Sequence, residues 1–191
     1  MSYEPIHDDI VYIDESGFSL AMRRTQGRSL VGSRDDARVK NVRAQNISLI
    51  AAVSSEKIWT FEITKGSVNS KKFEEYMSKL VEDLRLKGLK KVLLIMDNAS
   101  IHKSEYLSNA VRESGHTHMF LPPYSPFLNP IENLFNQWKS IVRSKLPQNE
   151  HELHEAMKTA PDEINSIQLK SYFRHSRIYF SDCLNKTEIL N

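Results

Sequence analysis

The chain has 191 residues, with 26 basic against 24 acidic side chains, 40% hydrophobic and 9% aromatic residues, the balance of one folded, soluble domain. Six glycines and seven prolines exclude a collagenous or low-complexity chain, and the single cysteine, Cys183, excludes an internal disulfide framework and a C-x-x-C zinc site. No apolar run approaches the about 20 residues that span a bilayer, and His7, Asp8 and Asp9 stand where a signal peptide needs an apolar core. The expectation is one intracellular domain with no membrane partner.

In chain order, residues 10–14 are short, β-rich and mostly apolar, and predict a strand with Asp14 at its end. Ser16, Gly17 and the stretch to about residue 45 read as loop or irregular hairpin. Seven basic residues there (Arg23, Arg24, Arg28, Arg34, Arg38, Lys40 and Arg43) face only Asp35 and Asp36, a local excess of +5. Such a run suits a solvated face or a phosphate backbone. Residues 47–53 and 58–64 read as two strands of an antiparallel hairpin.

The period then changes. Phe73, Tyr76, Met77, Leu80, Val81 and Leu84 share one helical face, with Asn69 or Ser70 as the start and Gly88 as the end. Residues 91–97 form an apolar run closed by Asp97, which suits a strand covered on both faces. A short helix over 104–115 and a strand over 117–121 follow. Asn129 and Pro130 open a strong helix carrying Ile131, Leu134, Phe135, Trp138, Ile141 and Val142 on one face, stopped by Pro147. Residues 149–185 read as helical with a break near Pro161, and Cys183 as a packing residue. Three strands, then strands separated by helices, predict an α/β fold with a mixed sheet covered by helices.

Three acids stand out by context: Asp14 and Asp97 at strand ends, and Glu132 at the start of the Pro130 helix. Ionised carboxylates at buried strand ends are expensive unless paired or holding a cation. If strands 10–14 and 91–97 are parallel neighbours, Asp14 and Asp97 meet outside their carboxyl ends, where α/β folds build sites. Three converging carboxylates repel one another, and Mg²⁺ or Mn²⁺ relieves that repulsion. Each acid also has a plainer reading. Asp14 and Asp97 can each begin a turn, and Glu132 with Asn129 and Pro130 makes a capping box worth about 1 kcal/mol to its helix. His102 can touch a phosphate or sit as a hydrogen-bonded core histidine. No phosphate-binding glycine loop, G-x-S-x-G or H-E-x-x-H is present.

At these acids the chain resembles a known family. Val11-Tyr12-Ile13-Asp14-Glu15-Ser16-Gly17-Phe18, Leu94-Ile95-Met96-Asp97-Asn98-Ala99-Ser100-Ile101-His102 and Leu121-Pro122-Pro123-Tyr124-Ser125-Pro126-Phe127-Leu128-Asn129-Pro130-Ile131-Glu132-Asn133 are similar to the motifs of mariner-like transposase catalytic domains, in the branch shared with bacterial insertion sequences. The 34 residues between Asp97 and Glu132 suit that family as well. The resemblance implies an RNase H-like fold, a five-stranded mixed sheet with helices on both faces. It implies a D-D-E triad of Asp14, Asp97 and Glu132 holding two Mg²⁺ (or Mn²⁺) ions, with Asn98 and His102 in support. Pro123, Tyr124, Pro126 and Pro130 would shape the loop that delivers Glu132. The activity implied is DNA cleavage and strand transfer, with residues 23–43 on the phosphate backbone whatever the sequence, and a homodimer as one arrangement of the protein. Only 13 residues precede Asp14, so the helix-turn-helix reader of such transposases is expected to be absent from a single-domain chain. A non-catalytic nucleic-acid-binding module and a nuclease for RNA or hybrids are the rival readings.

Overall fold

The computed structural model describes residues 9–22 and 46–185. The seven basic residues Arg23, Arg24, Arg28, Arg34, Arg38, Lys40 and Arg43 lie outside the described residues. Strands β1 (Asp9–Phe18), β2 (Ile47–Val53), β3 (Ile58–Lys65), β4 (Val92–Met96) and β5 (Thr117–Phe120) form one sheet in the order β3-β2-β1-β4-β5. β1 pairs antiparallel with β2 and parallel with β4; β2 and β3 are antiparallel, and β4 and β5 parallel. The sheet is therefore mixed, with β1 and β4 at its centre.

Period-two alternation splits the sheet into two cores. Val11, Ile13, Ile50, Ala52, Leu94 and Met96 pack against helices α1 (Ser70–Leu86) and α2 (Glu105–Glu113). Tyr12, Phe18, Leu49, Ala51, Val53 and Ile95 pack on the other face, against α3 (Pro130–Ser144), α4 (Glu150–Thr159) and α5 (Ser166–Asn185). Trp138 of α3 is fully buried there and donates its indole N–H to the Met157 carbonyl at 2.9 Å, tying α3 to the end of α4. Trp59 is only half-buried, with Lys57 Nζ 3.6 Å from its ring centre.

Helices α1 and α2 end alike, and each ending aims the next strand. Gly88 and Gly115 take positive φ (79° and 82°). The bonds Leu89 N–H to Leu84 O and Gly88 N–H to Arg85 O close α1, and His116 N–H to Val111 O with Gly115 N–H to Arg112 O close α2. These are Schellman endings, which favour glycine because a Cβ is strained there. Asn69 and Ser104 cap the two helix starts by accepting from Lys72 N and Leu107 N.

Two expectations change. β1 does not stop at Asp14 but runs on to Phe18, because Ser16 and Phe18 continue the alternation of Tyr12 and Asp14, and Phe18 pairs with Ile47. Ser16 and Gly17 are thus strand, not loop. Cys183 is exposed on α5 and does not pack. Among the described residues, no helix is long and apolar enough to cross a membrane.

Candidate active site at the β1–β4 edge

The last pair of the β1–β4 register is Ile13 with Met96. Asp14 and Asp97 follow one step later on neighbouring parallel strands, so the carboxylates emerge side by side at the end of β4. The backbone bond from Leu121 N–H to Met96 O (2.8 Å) carries the chain from β5 across this edge. It then runs through Pro122 and Pro123 to Tyr124, which holds φ 58° and is 98% exposed. A short 3-10 turn, Pro126–Leu128, closed by Leu128 N–H to Ser125 O and Asn129 N–H to Pro126 O, leads into α3. The first turn of α3 presents Glu132, which is exposed. Asp14, Asp97, Asn98 and Glu132 line one pocket of about 400 Å³, with the proline-rich segment as its opposite wall.

Each acid has a different setting. Asp14 is 7% exposed. Its Oδ1 accepts from the Glu15 N–H at 2.7 Å and its Oδ2 from Asn129 Nδ2 at 2.8 Å. Burial above all pushes its carboxyl from the ordinary 3.8 up to about 7; the Glu15 N–H opposes this, while the charges of Asp97, Glu15 and Glu132 add to it. Asp97 goes the other way. Its hydrogen bond with His102, aided by the Ala99 N–H at 3.0 Å, outweighs partial burial and holds it below the usual carboxylate range.

His102 is 0% exposed and is not among the residues lining the pocket, so of its two readings the structure shows the hydrogen-bonded core histidine. Its ring lies against Phe73, with centroids 4.2 Å apart. Nδ1 is 2.7 Å from Asp97 Oδ1, and Nε2 is 2.9 and 3.2 Å from the two oxygens of Glu15. Burial alone would push the imidazole down; the bonds to Asp97 and Glu15 overcome it and raise it to about 10. A ring facing carboxylates at both nitrogens carries protons on both.

The capping box expected at α3 does not form. Asn129 occupies the N-cap position, but its side chain makes no capping bond and turns to Asp14 instead. The helix affords this because a lost cap costs about 1 kcal/mol, whereas each large apolar side chain that α3 buries contributes roughly 1.5–3 kcal/mol. Pro130 at the first helical position has no N–H to leave unpaired. Glu132 is thereby left free to face the pocket.

Glu15 and Asn129 were not among the predicted site residues. The signal for Glu15 was present: an acid inside a strand alternation that Phe18 completes must face the opposite side of the sheet from Asp14. Asn129 carried no such signal, since its local pattern reads as a cap. The three acids share a pocket without forming a closed ligand cage. Among the described residues, no group of three or more His, Cys, Asp or Glu side chains stands arranged to hold a metal ion.

Comparison with known proteins agrees with this architecture. A family model described as DDE superfamily endonuclease matches residues 9–154. Among solved structures, the mariner Mos1 paired-end complex with Mg is similar at a TM-score of 0.80 and 15% identity, over 96% of this chain and 57% of that one. The Mos1 transposase paired-end complex with left transposon end gives 0.77 and 15%, over 95% and 55%. The catalytic domain of Mos1 mariner transposase gives 0.69 and 14%, over 95% and 84%. The chain thus spans little more than half the length of the transposase chains in those two complexes. At such identities the likeness is one of fold, and the RNase H-like, five-stranded mixed sheet expected from the sequence is the fold found. No curated protein sequence matches the chain.

Proposed function

Because the chain belongs to the DDE superfamily endonucleases, we propose that it works as a single catalytic domain of the mariner-like transposase type, cutting and joining DNA phosphodiesters. Asp14, Asp97 and Glu132 are the catalytic acids in this proposal. Its main support is that these residues, from a central strand, the end of its parallel neighbour and a helix start, line one open pocket. The Mos1 neighbours include complexes with transposon ends, with Mg and with Mn.

The donor set fits a hard divalent cation. Three carboxylates facing one pocket supply oxygen ligands, and the charges of Asp97 and Glu132, which add to the burial that chiefly raises the Asp14 carboxyl, are an imbalance a dication relieves. Two Mg²⁺ or Mn²⁺ ions bound there would polarise the phosphodiester, activate a water or DNA 3′-hydroxyl and offset charge on the departing 3′-oxygen. The chain's own residues prepare the site. Asn129 and the Glu15 N–H fix both oxygens of Asp14. His102 and the Ala99 N–H hold Asp97 ionised and oriented. The proline-rich turn sets where α3 begins and hence where Glu132 points. DNA contact through the basic residues 23–43 would be to phosphates, independent of sequence and weakened by salt.

The test is plasmid nicking. Purified protein with supercoiled DNA and Mn²⁺ should yield nicked circles, and Asp97→Asn should not. Equal nicking by the two proteins removes Asp97 from the chemistry and the proposal with it.

A further inference from the structure

We propose that Glu15 is a positioning residue of this site: acting through the buried His102 ring from the far side of the sheet, it fixes the orientation of Asp97. The inference rests on the catalytic role proposed above for Asp97 and adds a residue to it.

Glu15 cannot act on substrate directly. Alternation along β1 sends Asp14 toward α3 and the pocket, and Glu15 toward α1; Glu15 is absent from the described residues that line the pocket. Its side chain is 17% exposed and spans the Nε2 edge of His102 with both oxygens, at 2.9 and 3.2 Å. The other ring nitrogen meets Asp97 Oδ1 at 2.7 Å. The ring has no solvent access, and Phe73 stacks on it at 4.2 Å. Three degrees of freedom are thereby removed: ring flip by the two-sided bonding, tilt by Phe73, and tautomer choice by a carboxylate at each nitrogen.

Asp97 needs this support more than Asp14 does. It lies past the end of β4, beyond the last ladder pair, and apart from His102 its carboxylate is held by the Ala99 N–H two residues on. Without Glu15 the His102 ring would keep one carboxylate partner, and its second N–H would be buried without an acceptor. The ring could then rotate toward other acceptors and release Asp97. Removing a group that hydrogen-bonds a metal ligand typically costs about 10–100-fold in metal affinity or activity; His102 is that group for Asp97, and Glu15 acts on it one bond further out.

The experiment titrates Mn²⁺ into the full chain, followed by electron paramagnetic resonance, for wild type, Glu15→Gln, Glu15→Ala and Asp97→Asn. Proton NMR of the His102 ring N–H signals is recorded without metal. Wild type should show two slowly exchanging ring N–H protons. Glu15→Ala should lose one of them and bind Mn²⁺ about tenfold more weakly, the low end of the range for a group bonded to the ligand itself. Glu15→Gln, which keeps an oxygen acceptor, should fall between the two, a graded rescue that mere loss of stability would not produce. A folded Glu15→Ala protein binding Mn²⁺ as wild type does overturns the proposal. If Glu15→Ala fails to fold, Glu15→Gln decides: ring signals that shift while Mn²⁺ affinity stays fixed overturn it, because the ring then moves without consequence for Asp97. Wild type that binds Mn²⁺ no better than Asp97→Asn would bring down the catalytic role itself; loss of the Glu15 effect alone would leave that role standing.

Discussion

Asp14 is held at a cost to the fold, and the size of that cost follows from its setting. Its carboxyl lies at about 7 in the folded chain against an ordinary 3.8. Below about pH 4 both the folded and the unfolded chain keep it protonated, and it costs nothing. Between about 4 and 7 the unfolded chain ionises while the folded chain retains the proton, so stability falls with rising pH; above about 7 the loss is complete. At about 1.4 kcal/mol per pH unit the full penalty is about 4 kcal/mol, an upper figure because relaxation and water entry soften it. Asp14→Asn removes the charge: the amide oxygen still accepts from the Glu15 N–H, and a half-turn of the Asn129 amide, which now donates to Asp14 Oδ2, brings its Oδ1, a buried acceptor without a partner, to the new NH₂. The variant should therefore match wild type in stability near pH 4 and exceed it by up to about 4 kcal/mol at pH 8, a Tm gain of roughly 8–16 °C for a domain of this size. It should lose DNA nicking altogether. Urea and thermal denaturation of both proteins at pH 4, 6 and 8, with chelator present, measure the gap. A stability difference that does not widen between pH 4 and 8 refutes the assignment of a buried, mutually repelled carboxylate at Asp14.

Two other perturbations probe the partners of the acids. His102→Ala leaves Glu15 and Asp97 without their shared cation and should destabilise the chain by about 3–5 kcal/mol near neutral pH. The gap from wild type should narrow as pH climbs from 6.5 through about 10, where the folded imidazole gives up its proton, and again in acid, where Asp97 is protonated; chemical denaturation across that range reads it. Asn129→Ala deletes the amide held 2.8 Å from Asp14 and, above about pH 7 where Asp14 is ionised, should cost about 1.5–3 kcal/mol, the usual worth of a hydrogen bond to a charged group, with nicking reduced. A loss under about 0.5 kcal/mol, below the worth of even a neutral hydrogen bond, would refute the bond between this amide and Asp14.

Most of the fold was legible because its strands and helices carry strong periodic signals. The α3 face of Ile131, Leu134, Phe135, Trp138, Ile141 and Val142 is buried as its spacing predicts, and the fully buried β2 reads as an unbroken apolar run apart from Ser48. The end of β1 was harder to see. Asp14-Glu15-Ser16-Gly17 has the composition of a turn, and only pairing with β2, up to Phe18 against Ile47, makes it strand. Local propensity lost there to a ladder formed with residues far along the chain, a competition that composition does not record.

The same contrast explains which site residues were legible. Asp14, Asp97 and Glu132 announce themselves because each is a charge adjoining an apolar element, and burial of a charge needs a reason. Glu15 and Asn129 act through geometry that exists only after folding. Asn129 matches a helix cap in every local respect, yet the cap is worth about 1 kcal/mol and a bond to a buried carboxylate about 1.5–3 kcal/mol, so the amide goes to Asp14 once β1 and α3 are docked. Glu15 likewise obtains an 87-residue-distant partner in His102 only because β1 lies beside β4. In both places a tertiary interaction outbids a local one by a margin close to the strength of a single hydrogen bond, which sequence patterns cannot resolve but the substitutions above can.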